Sequence, residues 1–579
     1  MSLLSRLGLA DLNTRTRRER ATFFFLIAVS TFLFMDQNLM SPNLTAIGEQ
    51  LVVSRQAIRE RLSREDASYR ALLQGQKEER AKATAAHLAR LRLKLITRHP
   101  ELASDRSALD QALSAAAREQ ISQEELELVV RVADRVKERE ARTTTAFQQE
   151  VDNRLAGRAS LWFWLLGGLV AVTVGWVTDK RSRKKLLFGT ILVGAIPCFA
   201  TGFAQTVDQF VILRALTGIG IGAVLPLTYS LVGDLFSARG RPAAAAWVGL
   251  AAGIGIASGQ LLAGILGPVY GWQLPFLLVA SPNILLAFLF LFFADEPKRG
   301  SGEQALHAAM EHGAEHREKI QLSDLRTLFA NRTNLLVFAQ GIPGSMPWGF
   351  FFTFLVDFYH SNKGFSVQAA TLLVSVFGAG AILGSFVGGL AGGKLYHRKP
   401  AYLPALCCAT IFAGIPPLLA IVNWADAPTS PLQRALEILA LVGGTGPSVA
   451  GPAALGVLGA FLAAITSSNV KAVLIDVNPP ENRGTIFSLF NLADDLGKGF
   501  APFLIGSVLG VFLGRQTSYN VAILMWVICG LVWLVLIRVF PKDVAALEHR
   551  LSERAKVLRR KEVPAGSSVS PAIAGTRSA

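Results

Sequence analysis

The sequence predicts an all-α membrane protein: twelve transmembrane helices in two pseudo-symmetric six-helix halves, with a long helical insertion between helices 1 and 2. Three observations predict it. Hydrophobic residues are 51% of 579, charged residues 17%, and the mean hydropathy is +0.39, a balance that excludes an array of soluble domains. Apolar runs long enough to cross a bilayer are joined by short loops whose Lys and Arg fall almost all on one side. The two halves also echo each other: Gly175-x-x-x-Asp179-Lys180 with Arg183-Lys184-Lys185 aligns without gaps on Gly389-x-x-x-Gly393-Lys394 with His397-Arg398-Lys399. Each stretch follows the second span of its half. Asp234 with Arg241, and Asp476 with Arg483, repeat a second spacing after each fourth span.

Residues 1–20 carry Arg15, Arg17, Arg18 and Arg20 and are expected in the cytoplasm. The first span, 21–53, holds Asp36, Gln37 and Asn38 in its middle or outer part. Residues 54–157 form a polar, extracytoplasmic insertion, rich in Ala, Arg, Glu, Gln and Leu. Apolar residues at helical spacing (Leu88, Leu91, Leu95; Leu126, Val129, Val130, Ala133) predict a helical hairpin or small bundle. His99-Pro100 interrupts it, and Ser122 with Glu125 forms a capping box for the next helix. Lying outside both repeats, the insertion is expected to be dispensable for what the two halves do. It is either a solvated appendage or a module for a protein partner.

Helices 2–6 occupy 158–294. The fourth contains Arg214, Gly218, Gly220 and Gly222, and the fifth repeats Gly249, Gly253, Gly255 and Gly259, which suits close helix contact. A cytoplasmic loop, 295–333, precedes helices 7–12 at 334–541. The seventh is interrupted by Gly341, Pro343, Gly344 and Pro347, and the eighth has glycine every fourth residue from Gly380 to Gly392. A cytoplasmic tail, 542–579, is first helical and then Ser/Pro/Ala-rich and disordered.

A net charge of +16 invites a nucleic-acid reading, but the basic residues cluster at the ends of apolar runs, which membrane topology explains. Cys198, Cys407, Cys408 and Cys529 lie inside apolar runs and read as packing residues. His307, His312 and His316 lack the acidic or cysteine partners of a metal site. No phosphate-binding loop, nucleophile elbow or zinc-protease pattern is present, so neither cofactor nor enzymatic chemistry is expected. The bilayer is one partner, and if the chain moves a solute, an ion gradient or the solute's own gradient must supply the energy.

Charges inside apolar spans are costly and mark function. Asp36 lies roughly 24 Å along its helix from Arg20, and Arg214 roughly 30 Å above the inner end of its own, which brings them to similar depth. They form either a proton-coupling pair or a permanent structural ion pair. In the eleventh span Asp494 and Lys498 share a face and neutralise each other, leaving Asp495 in need of a partner, a proton or a substrate. Asn38, Gln340 and Trp348 are candidate cavity-lining groups, while Lys471 and Asp476 near an inner helix end read as latch residues.

The Gly175–Lys184 loop resembles the loop between the second and third helices of the major facilitator superfamily, Gly-x-x-x-Asp-(Arg/Lys)-x-Gly-(Arg/Lys)-(Arg/Lys), with Ser182 at the glycine. The resemblance implies the twelve-helix facilitator fold. It also implies a cytoplasmic latch built from Gly175, Asp179, Arg183, Asp234, Arg241, Asp476 and Arg483. Asp36-Gln-Asn and Arg214-x-x-x-Gly218-x-Gly220 look most like the Spinster-like branch, whose pattern has Arg in place of Gln37 and Glu in place of Ile221. That likeness implies a small organic or amphiphilic solute, including a lysophospholipid, moved by proton-linked alternating access across a plasma (inner) membrane. A receptor or scaffold presenting the insertion is the alternative.

Overall fold

The computed structural model describes residues 9–98, 123–178, 181–236, 240–297, 329–424, 450–479 and 483–562. Among them every regular element is helical. The chain enters through α1 (Arg17–Met35), whose start is closed by a capping box in which Thr16 accepts from Glu19 N and Glu19 answers to Thr16 N. Two short turns, Asp36–Asn38 and Ser41–Asn43, lead to α2 (Leu44–Leu51). The insertion follows as α3 (Arg55–Glu65), α4 (Ala67–Arg98) and α5 (Gln123–Val151).

Five further helices complete the first half: α6 (Gly157–Thr178), α7 (Arg183–Thr201), α8 (Val207–Leu235), α9 (Arg241–Tyr270) and α10 (Gln273–Phe293). The second half comprises α11 (Arg332–Ser361), α12 (Val367–Tyr396), α13 (Tyr402–Val422), α14 (Ala450–Val477), α15 (Arg483–Phe500) and α16 (Gly510–Glu562). Single oxygen-bearing side chains cap many of these starts: Ser182, Thr206, Asn331 and Ser366 each accept from the backbone N–H three residues on. Among the described residues, eleven helices are long and apolar enough to cross a membrane. The remaining span, α15, carries Arg483, Asp494, Asp495 and Lys498, more charge than simple hydropathy tolerates.

The packing repeats with the sequence. In the first half α6 packs on α8, α8 on α7, α9 on α1 and α10 on α7; in the second α12 packs on α14, α14 on α13, α15 on α11 and α16 on α13. Small residues make the closest of these seams possible. A β-carbon at Gly380, Gly384, Gly388 or Gly392 of α12 would collide with Val457, Phe461, Ile465 or Asn469 of α14. The four cysteines are free and buried.

One expectation changes. The insertion is not a separable appendage, because α5 runs through a π-helical segment, Asp152–Ala156, directly into α6. Its own bundle is held by Tyr69 to Thr143 (3.2 Å), Arg135 to Glu79 (2.8 Å) and Arg61 to Glu150 (2.7 Å). Composition changes near residue 157; the helix does not.

The halves touch chiefly through α6 with α15 and α9 with α12. Near the insertion, a β-carbon at Gly264 of α9 would overlap Thr371 of α12. About three turns toward the face that bears the termini, Gly253 makes only an ordinary 3.5 Å approach to Ile382. The halves are pressed together at the insertion face and part toward the terminal face.

Candidate functional site

A small cleft lies between the halves, lined by Gln37, Asn38, Ser160, Phe163, Arg214 and Thr353 among others. The first helix breaks into its short turn at Asp36, and that break turns the carboxylate toward α8. Arg214 Nη1 donates to Asp36 Oδ1 at 2.5 Å and Nη2 to the Asp36 carbonyl at 3.2 Å. Both residues are buried, 1% and 3% exposed. The guanidinium sits between two rings, 4.8 Å from Phe163 and 5.7 Å from Phe276. Among the described residues Asp36 Oδ2 is buried without a nitrogen or oxygen hydrogen-bond partner, and the Cys198 thiol lies within hydrogen-bonding range of this carboxylate. Asn38 donates to Gln260 at 3.2 Å on the same wall.

Deeper between the halves is the α15 group. Lys498 Nζ lies 2.5 Å from Asp494 and 3.6 Å from Asp495, so one ammonium serves both carboxylates. It also stands 4.8 Å over the Trp164 ring of the opposite half. Asp495 faces Gly168 of α6, where any side chain would crowd it. Lys471, expected in a latch, is exposed and within electrostatic range of Asp494 and Lys498. It belongs with this central group.

Of the two other expected cavity residues, one is held inside the second half and one adjoins the cleft wall. Gln340 is 3% exposed and accepts from the Cys529 thiol at 3.2 Å, inside the second half. Trp348 stacks with Phe352 and packs against Phe377 and Trp526, an aromatic cluster of the same half. Phe352, the stacking partner of Trp348 one turn on, lines the cleft, so Trp348 backs its wall, while Gln340 is turned into the second half.

At the terminal face, Arg183 pairs with Asp234 and lies 3.3 Å from Glu296; it also donates to the Pro297 carbonyl at 2.9 Å. Arg15 caps the end of α8 through Leu235 O at 3.0 Å and Asp234 O at 2.9 Å. Gly175 lies in α6. Asp179 lies outside the described residues, as do the side chains of Arg241 and Arg483 and the residues His307, His312 and His316. Asp476 stands beside Tyr396. Glu296, in the loop after α10, is the partner that sequence reading missed.

Burial opposes ionisation of Glu296, but hydrogen bonds from Ser182 and from Arg183 outweigh it and hold the carboxyl below its ordinary 4.5. A group whose pKa is depressed on folding stabilises above its unfolded value and loses that contribution as pH falls through its folded value. Thermal unfolding of the solubilised protein is therefore expected to lose stability below about pH 4.5, and Glu296→Gln to flatten that loss. Parallel curves for the two proteins would remove Glu296 from the network. Arg183→Ala, which removes a charged hydrogen-bond partner from both Asp234 and Glu296, is expected to destabilise by about 2 kcal/mol at neutral pH.

Sequence reading also missed a group at the insertion face. Arg515 donates to Asp152 at 2.6 and 3.2 Å and to Asp357, all three being at most 7% exposed. Thr45 donates to the other oxygen of Asp357. Asp357 carried the same signal that singled out Asp36, a carboxylate inside an apolar span. Asp152 was hidden by the polar sequence around it.

Residues 143–455, more than half of the chain, match the family model for the Major Facilitator Superfamily. A protein of Haemophilus influenzae named for metabolite transport is 26% identical over 402 residues, covering 68% of this chain and 89% of that one. A 4-hydroxybenzoate transporter of Acinetobacter baylyi is 32% identical over 136 residues, 23% of this chain and 30% of its own. Among solved structures, a bacterial homologue of the human lysosomal transporter Spinster, inward-facing and unoccupied, superposes with a TM-score of 0.60 at 15% identity. It covers 91% of this chain and 99% of its own, and shares the fold. The chain belongs to the Major Facilitator Superfamily and is a multi-pass membrane transporter.

Proposed function

We propose that the protein carries a small organic anion across the membrane by alternating access, with proton binding at Asp36 as the coupling step. The observation that carries this reading is the buried Asp36–Arg214 pair at the cleft wall, with one carboxylate oxygen that meets no nitrogen or oxygen donor among the described residues. A proton on Asp36 cancels its hold on the guanidinium. Arg214 then needs another anion, and the cleft delivers one. Proton and anionic solute bind together or not at all, which links one gradient to the other. The 4-hydroxybenzoate transporter among the relatives fits an aromatic carboxylate here, with Trp164, Lys498 and Lys471 deeper on the path. The headgroup of a lysophospholipid would compete for the same guanidinium.

In this reading the termini are cytoplasmic and the insertion extracytoplasmic, in a plasma (inner) membrane, and Arg183, Asp234 and Glu296 steady the cytoplasmic face. Proteoliposome uptake of 4-hydroxybenzoate and of a lysophospholipid, each with and without an inward acid gradient, tests it. Accumulation of the carboxylate only with the gradient is the expected result. Lysophospholipid transport alone, or uptake indifferent to pH, would overturn the proposed solute or the coupling respectively. The receptor reading has only the insertion in its favour, and that insertion is built into a transporting helix.

A further inference from the structure

The insertion has no part in the site between the halves, yet its root is where the two halves are fastened. Gln148 of α5 donates to Asn362 of α11 at 2.8 Å. Asp152, at the first π-helical position, takes Arg515 through both carboxylate oxygens, and its carbonyl accepts from Ser507 at 2.6 Å. Thr45 to Asp357, and Ser160 to Thr353 at 3.3 Å, complete the seam. Gly514 (φ +73) breaks the backbone immediately before Arg515, a conformation that favours glycine, and so directs the guanidinium inward.

We propose that the insertion is the gate on its own face, with Asp152 as the jaw that Arg515 of the second half closes upon. This rests on the alternating-access reading. The physics is that of a switch. Closed, three buried charged groups lose hydration and are compensated by a forked, multiply hydrogen-bonded geometry. Open, Arg515 keeps Asp357 of its own half, while Asp152 parts from it and is rehydrated as water enters. The two states are therefore close in free energy, as cycling requires. Because α5 is continuous with α6 and braced by α3 and α4, the described part of the insertion swings with the first half. Deleting 54–155 removes the jaw along with the bundle, so the insertion is not dispensable.

The test is a distance measurement on the full-length protein in lipid. Spin labels go at exposed Glu65 on the insertion and Gln368 at the start of α12. The variants are Asp152→Asn, Arg515→Gln, Ser507→Ala and the exchange Asp152→Arg with Arg515→Asp. Wild type is expected to give mainly the short distance. Asp152→Asn and Arg515→Gln are expected to raise the open-to-closed ratio about tenfold. Ser507→Ala, which leaves the ion cluster whole, should move it less in the same direction. The exchange puts the cation on the insertion side, facing Asp357 and the new carboxylate at position 515. Attraction across the seam is thereby restored, and the short distance is expected to return. Unchanged distributions in folded Asp152→Asn and Arg515→Gln would overturn the proposal; so would an exchange that stays open. If the distances respond while no solute is carried, the gate stands and the transport reading fails.

Discussion

Asp36→Asn is expected to abolish pH-driven accumulation while leaving solute exchange within about threefold of wild type. That outcome follows from the pair's electrostatics. An ionised carboxylate held from water costs several kcal/mol, and the Arg214 guanidinium 2.5 Å from Asp36 is the charge placed to offset it. Asparagine keeps the shape and one acceptor but holds no charge and takes no proton. It fixes the site in the equivalent of its protonated state, in which Arg214 is free for a solute anion. Binding and exchange continue, and the link to the proton gradient is gone. Arg214→Ala is expected to be more damaging, because it strands Asp36 as an unpaired buried carboxylate and removes the anion's partner. The measurement is uptake and counterflow in matched proteoliposomes. Full pH-driven accumulation by Asp36→Asn would show the pair to be a fixed structural bridge.

Gly259→Val is expected to abolish folded protein, and Gly259→Ala to destabilise it by about 3 kcal/mol. A β-carbon at Gly259 would overlap the carbonyl oxygen of Met35, and one at Gly255 that of Thr31. These are backbone atoms of α1 and cannot rotate aside, so α9 must move away. Met35 immediately precedes Asp36, so the same displacement shifts the Asp36 carboxylate. Gly249→Ala is the control: its β-carbon meets nothing within 4 Å. Detergent thermal unfolding checks both, and equal effects at Gly249 and Gly259 would contradict the packing argument.

Those glycines show where sequence reading reaches its limit. The sequence by itself determined the span pattern, the repeat and the helical insertion, because bilayer thickness and the cost of charge act on every residue whatever its neighbours. It also determined depth: counting residues from the inner ends put Asp36 and Arg214 at one level, and they meet. Only the tertiary structure decided which way each helix is turned and what lies opposite. Gly249, Gly253, Gly255 and Gly259 look alike in the chain, yet only Gly255 and Gly259 press on another backbone. Gln340 has the right depth and faces the protein interior, while Lys471 was assigned to a latch and reaches the central charges. The clamp of Asp152, Asp357 and Arg515 joins residues up to 363 positions apart. Rotation about a helix axis and partners distant in sequence are set by packing between helices, which no local pattern encodes.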